Sequence, residues 1–154
     1  MMLLVMILVS SLLFPRQLYT LPSRLAYAGW TDASIAGYKG PTPAIVTGLA
    51  AHTLNTLKST YCVSESGTAG PTGGDTRNRT PGYVALAVVK REGGEGEGTG
   101  VRVWTKEVET GSKEREENMV AFAVEALKLV GQVIKGKNGK GEVQVNEEGE
   151  EGKL

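Results

Sequence analysis

The residues best suited to chemistry are the run Ser66-Gly67-Thr68-Ala69-Gly70-Pro71-Thr72-Gly73-Gly74-Asp75. Glycine permits positive φ and removes the Cβ, so such a run lets backbone N–H groups and small hydroxyls close around an anion. That chemistry is a nest for a phosphate or an oxyanion; the alternative is a plain structural loop. No Gly-Lys-Ser/Thr follows, so the run is not a P-loop, and it lacks the spacing of a dinucleotide fingerprint. Elsewhere reactive groups are scarce. Cys62 and His52 are the single members of their types, which excludes an internal disulfide and a Cys/His zinc cluster. A Ser-His-Asp group would have to use His52, which falls off the apolar stripe of its helix and is expected to be solvated or capping. Trp30 and Tyr38 stand in a loop, where they either stack on a base or pyridine ring or pack over the core. Asn78-Arg79-Thr80 spells a glycosylation sequon, relevant only to a secreted chain, and reads otherwise as loop.

The elements that would position this run follow from periodicity. Leu18-Tyr19-Thr20 is expected to end a short strand, and Leu21 to Ala28 to form a short helix stopped by Gly29. Thr42 then Pro43 is an N-cap followed by proline at the first helical position, and Val46, Leu49, Ala50, Leu54 and Leu57 recur at helical spacing. Ser59 to Ser64 has strand character, with Tyr61 and Val63 on one face and Cys62, a buried small hydrophobe, on the other. Five glycines and two prolines between Ser66 and Gly82 make a loop, and Tyr83 to Val89 is a continuously apolar strand. Lys90 to Gly100 is a polar hairpin connection leading to an alternating strand, Val101 to Glu109. From Ser112, Glu114, Glu116 and Glu117 suit the first turns of a helix. Its apolar positions are Met119, Phe122, Ala123, Ala126, Leu127, Val130 and Ile134.

The ends are less ordinary. Residues 1–14 form an apolar run, too short for a helix spanning a bilayer, which needs ~20 residues. It is either a weak signal or anchor, or a buried strand or helix, or an unnatural start to a truncated chain. Residues 135–154 are a basic then acidic, glycine-rich stretch, expected to be a disordered charged tail. The whole chain is 154 residues, with 17 basic and 17 acidic side chains. That length makes one domain, and the balance gives no general attraction to nucleic acid or to anionic lipid.

The run SGTAGPTGGD followed by PGYVALAVV resembles the hallmark Thr-Gly-Ile-Ala-Gly-Pro-Gly-Gly-Gly segment and following strand of the CinA C-terminal domain, the competence-damage-inducible family. Tyr19-Thr20 with Arg24 is similar to that family's Tyr-Ser-Asn-x-x-Lys, Gly29 follows as its Leu-Gly does, and Arg115 opens the corresponding late helix. The likeness covers about Leu18 to Val133. It implies an α/β fold, a central sheet with helices packed on its faces as a three-layer sandwich, incomplete at the N-terminus. The implied units are a hydrophobic leader at 1–17, the domain at 18–134 and the tail at 135–154. Because the family includes nicotinamide mononucleotide amidohydrolases, the resemblance implies hydrolysis of a carboxamide and a nicotinamide nucleotide, or a similar phosphate-bearing small molecule, as partner. No cofactor, nucleic acid or stable membrane span is expected. The implied location is cytoplasmic, or secreted or membrane-associated if residues 1–14 act as a signal.

Departures from the family pattern bear on activity. The family's Glu-Ser-Cys-Thr-Gly-Gly turn, which supplies the serine nucleophile, does not occur upstream of Tyr19. Glu65-Ser66-Gly67-Thr68 imitates it by letters but belongs to the second motif. Arg24 occupies the family's lysine position, and a guanidinium stays protonated where a lysine could act as a base. Ser66 keeps a hydroxyl at the family's threonine. The weak catalytic candidates are therefore Ser66, Arg24 and Arg115. The ligand-binding candidates are Tyr19, Ser66, Gly67, Thr68, Ala69, Gly70, Gly73 and Gly74. The expected function is a CinA-like domain with little or no amidohydrolase activity, or else a non-enzymatic nucleotide-binding or protein-interaction domain. Apolar surface left uncovered should lower stability or cause self-association.

Overall fold

A computed structural model describes residues 2–9, 12–17, 20–92, 100–137 and 142–145. It contains strands β1 (Met2–Val9), β2 (Leu12–Gln17), β3 (Tyr61–Thr68), β4 (Tyr83–Arg91), β5 (Gly100–Glu109) and β6 (Glu142–Val145), and helices α1 (Leu21–Tyr27), α2 (Asp32–Ala36), α3 (Pro43–Thr56) and α4 (Arg115–Ile134). The strands form one sheet in the order β2-β1-β3-β4-β5-β6, every neighbouring pair antiparallel. The fold is α/β, an antiparallel sheet with helices packed on it.

Strand β4 explains the layering. Its side chains alternate between faces. Val84, Leu86 and Val88 pack with Val63 against Phe122, Ala126, Leu129 and Val133 of α4. Tyr83, Ala85 and Ala87 meet Val46 of α3, while Val89 and Cys62 join Leu49, Ala50 and Leu54. A strand covered on both faces must be apolar throughout, hence YVALAVV. Cys62 sits as expected, its thiol pushed up to about 12 by burial. Thr42 caps α3 by accepting from the Ile45 N–H at 3.2 Å, with Pro43 in the first turn, a cap contributing about 1 kcal/mol.

The structure departs from the sequence-based expectations in several places. Ser66, Gly67 and Thr68 are the end of β3, paired with Ala85, Val84 and Tyr83, and not the start of the loop; two flanking strands supply the ladder that their poor strand propensity does not. The first apolar run divides into β1 and β2, with β1 paired along β3 from Met2↔Gly67 to Leu8↔Tyr61. Glu142–Val145 pairs with Gly100–Val103, where only a disordered tail was expected. A short helix, α2, occupies the stretch expected to be loop. On α4 the buried side is Asn118, Phe122, Ala126, Leu129 and Val133, whereas Leu127 and Ile134, expected in the core, are exposed. No helix among the described residues is long and apolar enough to cross a membrane.

Candidate functional site

Two clusters gather at the end of β3, one on each side of the sheet. On the α3 side the centre is Arg24, in the last turn of α1, with only 1% of its surface exposed. Its guanidinium lies 5.0 Å from the Trp30 ring centroid and 5.3 Å from that of Tyr38. Those two rings meet at 5.2 Å with a 54° tilt. Delocalised, weakly hydrated charge on aromatic faces is how arginine tolerates such burial.

Tyr38 links this cation to the strand. Burial raises its phenol pKa, and the Arg24 charge, the neighbouring Ser66 hydroxyl and Arg79 partly offset that rise. Ser66 Oγ is fully buried and lies beside the phenol without a well-formed hydrogen bond. Arg79 extends past Gly40 and Gly74, whose would-be Cβ atoms fall 2.8 Å from its Cγ and 3.0 Å from its Nε. Asn78 fixes this approach by donating to the Pro41 carbonyl at 3.0 Å, so the sequon's amide already serves to tie two loops together. Among the described residues neither Arg24 nor Arg79 has a carboxylate within ion-pair distance, whereas Arg77 pairs with Glu107 and Glu109. The cluster thus sets two guanidiniums, neither in an ion pair among the described residues, near one phenol and one hydroxyl.

Trp30 and Tyr38 also line a cavity of about 510 Å³ between α2 and α3. Gly48 contributes open space to its wall, since a Cβ there would meet nothing within 4 Å. Besides Tyr38, the ionisable groups at its lining are Lys39 and His52, with no carboxylate among them. His52 is exposed as expected, with Nε2 3.4 Å from the Thr56 hydroxyl.

The second cluster, on the α4 side, is structural. Asn118, completely buried, donates to the carbonyls of Ala69 and Ser112 at 2.9 Å each and accepts from Thr110. Arg115 donates to the Gly70 carbonyl at 3.3 Å. These bonds anchor the glycine run from behind. Gly67 and Gly70 are there for close packing: a Cβ on Gly67 would stand 2.7 Å from Phe122 Cε2, and one on Gly70, at φ +89°, 2.7 Å from the Lys113 carbonyl.

The candidates therefore separate. Arg24 and Ser66 share the α3-side cluster, and among the described residues no contact joins Arg115 to it. Gly67, Thr68, Ala69 and Gly70 are buried, so they form no open rim. Gly73 is exposed, but the Gly74 N–H, expected to be available to a ligand, already donates to the Arg79 carbonyl at 2.9 Å. Tyr19 lies outside the described residues. Sequence reasoning missed Arg79, read only as the middle of a sequon, and Glu65. The latter alternates with Val63 on the α4 face, is 1% exposed, and has no partner for either carboxylate oxygen among the described residues. Burial lifts its pKa from 4.5 to about 7.

An antiparallel sheet with helices packed on both of its faces defines the class as an α/β domain. Residues 18–134 match the model of the CinA C-terminal domain, and the chain belongs to that family. Similar solved structures agree on the fold. The competence/damage-inducible protein CihA of Agrobacterium tumefaciens has 22% identity and a TM-score of 0.61, over 75% of this chain and 65% of that one. A CinA superfamily protein of Enterobacter cloacae has 21% identity and a TM-score of 0.56, over 75% and 62%. A competence- or damage-inducible protein of Enterobacter asburiae has 19% identity and a TM-score of 0.56, over 75% and 66%. The chain thus spans just under two thirds of the length of each. No match is found among curated protein sequences.

Proposed function

We propose that this CinA-family domain binds a phosphate-bearing nicotinamide nucleotide in the cavity beside Trp30 and Tyr38, and hydrolyses its carboxamide weakly or not at all. The observation that carries the reading is the pair of guanidiniums near Tyr38, Arg24 and Arg79, neither with an ion-pair partner among the described residues. Neither arginine lines the cavity; buried Arg24 favours an anionic ligand through its field, exposed Arg79 can reach one from the rim, and Trp30 and Tyr38 offer faces to an aromatic ring. A cavity of about 510 Å³ falls within the usual range for small-molecule sites, ~300 to 1,000 Å³.

Weak hydrolysis follows from the neighbours of Ser66. A serine nucleophile needs a group to take its proton and donors for the tetrahedral oxyanion. Arg24 is a permanent donor, and Tyr38, its pKa raised, holds its proton at neutral pH. Glu65 is the nearest carboxylate in sequence, but alternation along β3 sends it to the opposite face. Donors are thus plentiful near Ser66, and among the described residues no acceptor for its proton stands beside it. Calorimetric titration of nicotinamide mononucleotide should show binding that weakens in Arg79→Ala, with ammonia release at background. No binding, or robust ammonia release that disappears in Ser66→Ala, would overturn the reading; tight binding with no turnover at all would make the chain a binding domain.

A further inference from the structure

Helix α4 is apolar on two opposite sides. One side faces the sheet. The other presents Val120, Val124, Leu127 and Ile134, exposed by 61, 42, 57 and 54%, with Gly131 between the last two. These positions step by four, three, four and three residues. That spacing is the 3.5-residue repeat of a helix seam meeting another helix, whereas a solvated face would be polar. Gly131 adds a place for close approach, since a Cβ there would touch nothing within 4 Å.

The charges along the helix identify the partner. Glu114, Glu116 and Glu117 crowd its start and Lys128, Lys135 and Lys137 its end. Glu116, four residues before Val120, and Lys135, four after Gly131, stand at the two ends of the apolar seam. Of these six, Lys128 is paired within the chain, to Glu125 at 2.7 Å; the other five are in no ion pair among the described residues. A helix with an acidic start and a basic end is complementary to itself turned end for end. We infer that the outer face of α4 is the interface of a two-fold dimer with a second copy of this chain, the two α4 helices antiparallel. Leu127 of each copy then packs on Val124 of the other, Val120 opposes Gly131, and Glu116 comes level with Lys135. A closed isologous contact of this kind covers both seams at once.

Sedimentation velocity over a wide concentration series should show a reversible dimer. Leu127→Glu, at an exposed position, should raise the dimer dissociation constant by at least ~30-fold, as loss of a central apolar anchor does, and should leave the urea midpoint unchanged when both proteins are unfolded at concentrations well below the wild-type dissociation constant. Glu116→Lys with Glu117→Lys should weaken the dimer, and adding Lys135→Glu with Lys137→Glu should restore it. A spin label at Gln132→Cys, with Cys62 buried and unlabelled, should read a separation of about 20 Å along the axis. A monomer at every concentration overturns the inference. So does a dimer indifferent to Leu127→Glu, which would place the contact elsewhere, and so does a close label pair, which would mean parallel helices.

Discussion

Replacing Glu65 by glutamine is expected to stabilise the protein above pH 7 and to change little near pH 4.5. The carboxyl sits on the α4 face of β3, opposite Leu86 on β4, with 1% exposure and burial as the cause of its pKa rise from 4.5 to about 7. Below 4.5 the group is protonated whether the chain is folded or not. As the pH rises, the unfolded chain ionises first and the folded state loses ground, until the buried carboxyl ionises too near 7. The rise from 4.5 to about 7, at about 1.4 kcal/mol for each tenfold change in proton affinity, amounts to about 3.5 kcal/mol lost on the alkaline side. That is a large share of a typical domain stability of ~5 to 15 kcal/mol. Glutamine keeps the shape and cannot ionise. Urea unfolding across the window should therefore give a falling curve for the wild type and a flat one for Glu65→Gln, converging at the acid end. A wild-type stability that stays level through the window would show that the carboxylate finds a partner, and would refute the reasoning.

Two further outcomes follow from the packing behind the glycine run. Gly67→Ala forces a methyl group to within 2.7 Å of Phe122 and 2.8 Å of the Tyr83 carbonyl, so it should cost about 1 to 3 kcal/mol in urea unfolding; no loss would mean that β3 can shift away from α4. Asn118→Ala strands the Ala69 and Ser112 carbonyls that its amide serves, and should cost about 2 kcal/mol by the same measurement, an unchanged midpoint counting against that anchoring role.

Much of the fold was legible because two patterns were unambiguous. Thr42-Pro43 marks a helix start that the structure reproduces to the residue, and Tyr83 to Val89 is apolar enough to require cover on both faces. The end of β3 was not legible. Ser66-Gly67-Thr68 has the composition of a turn, and it is extended because β1 and β4 flank it, an effect that no local window contains. In α4 the helix itself was legible but its orientation was not: with apolar residues on two sides, the 3.6-residue period admits Leu127 and Ile134 to the core as readily as Leu129 and Val133. Only the sheet contacts decide between them. Glu142–Val145 has the alternation of a strand, but four residues among glycines and charges carry too weak a signal to set against that composition.

The candidate site shows a different limit. Arg24 came into view through the family resemblance, and Trp30 and Tyr38 through their ring chemistry, yet nothing in their spacing says that both rings meet the guanidinium. Glycine is ambiguous in a related way. The lack of a Cβ signals that something comes close, and a ligand and a neighbouring side chain leave the same letter in the sequence. At Gly67 the close neighbour is Phe122, at Gly70 the Lys113 carbonyl, and at Gly74 the Arg79 side chain. Gly73 is the same, its missing Cβ falling against the Arg79 carbonyl, so the run that first suggested an anion nest owes all four of its glycines to packing. Those packed glycines nevertheless serve the site indirectly: by admitting Arg79 alongside Gly74, the loop brings a second guanidinium towards Tyr38, where Arg24 already supplies the first. In the proposed site, then, the groups that would meet an anion are side chains and not the backbone of the run, and the glycines make room for those side chains.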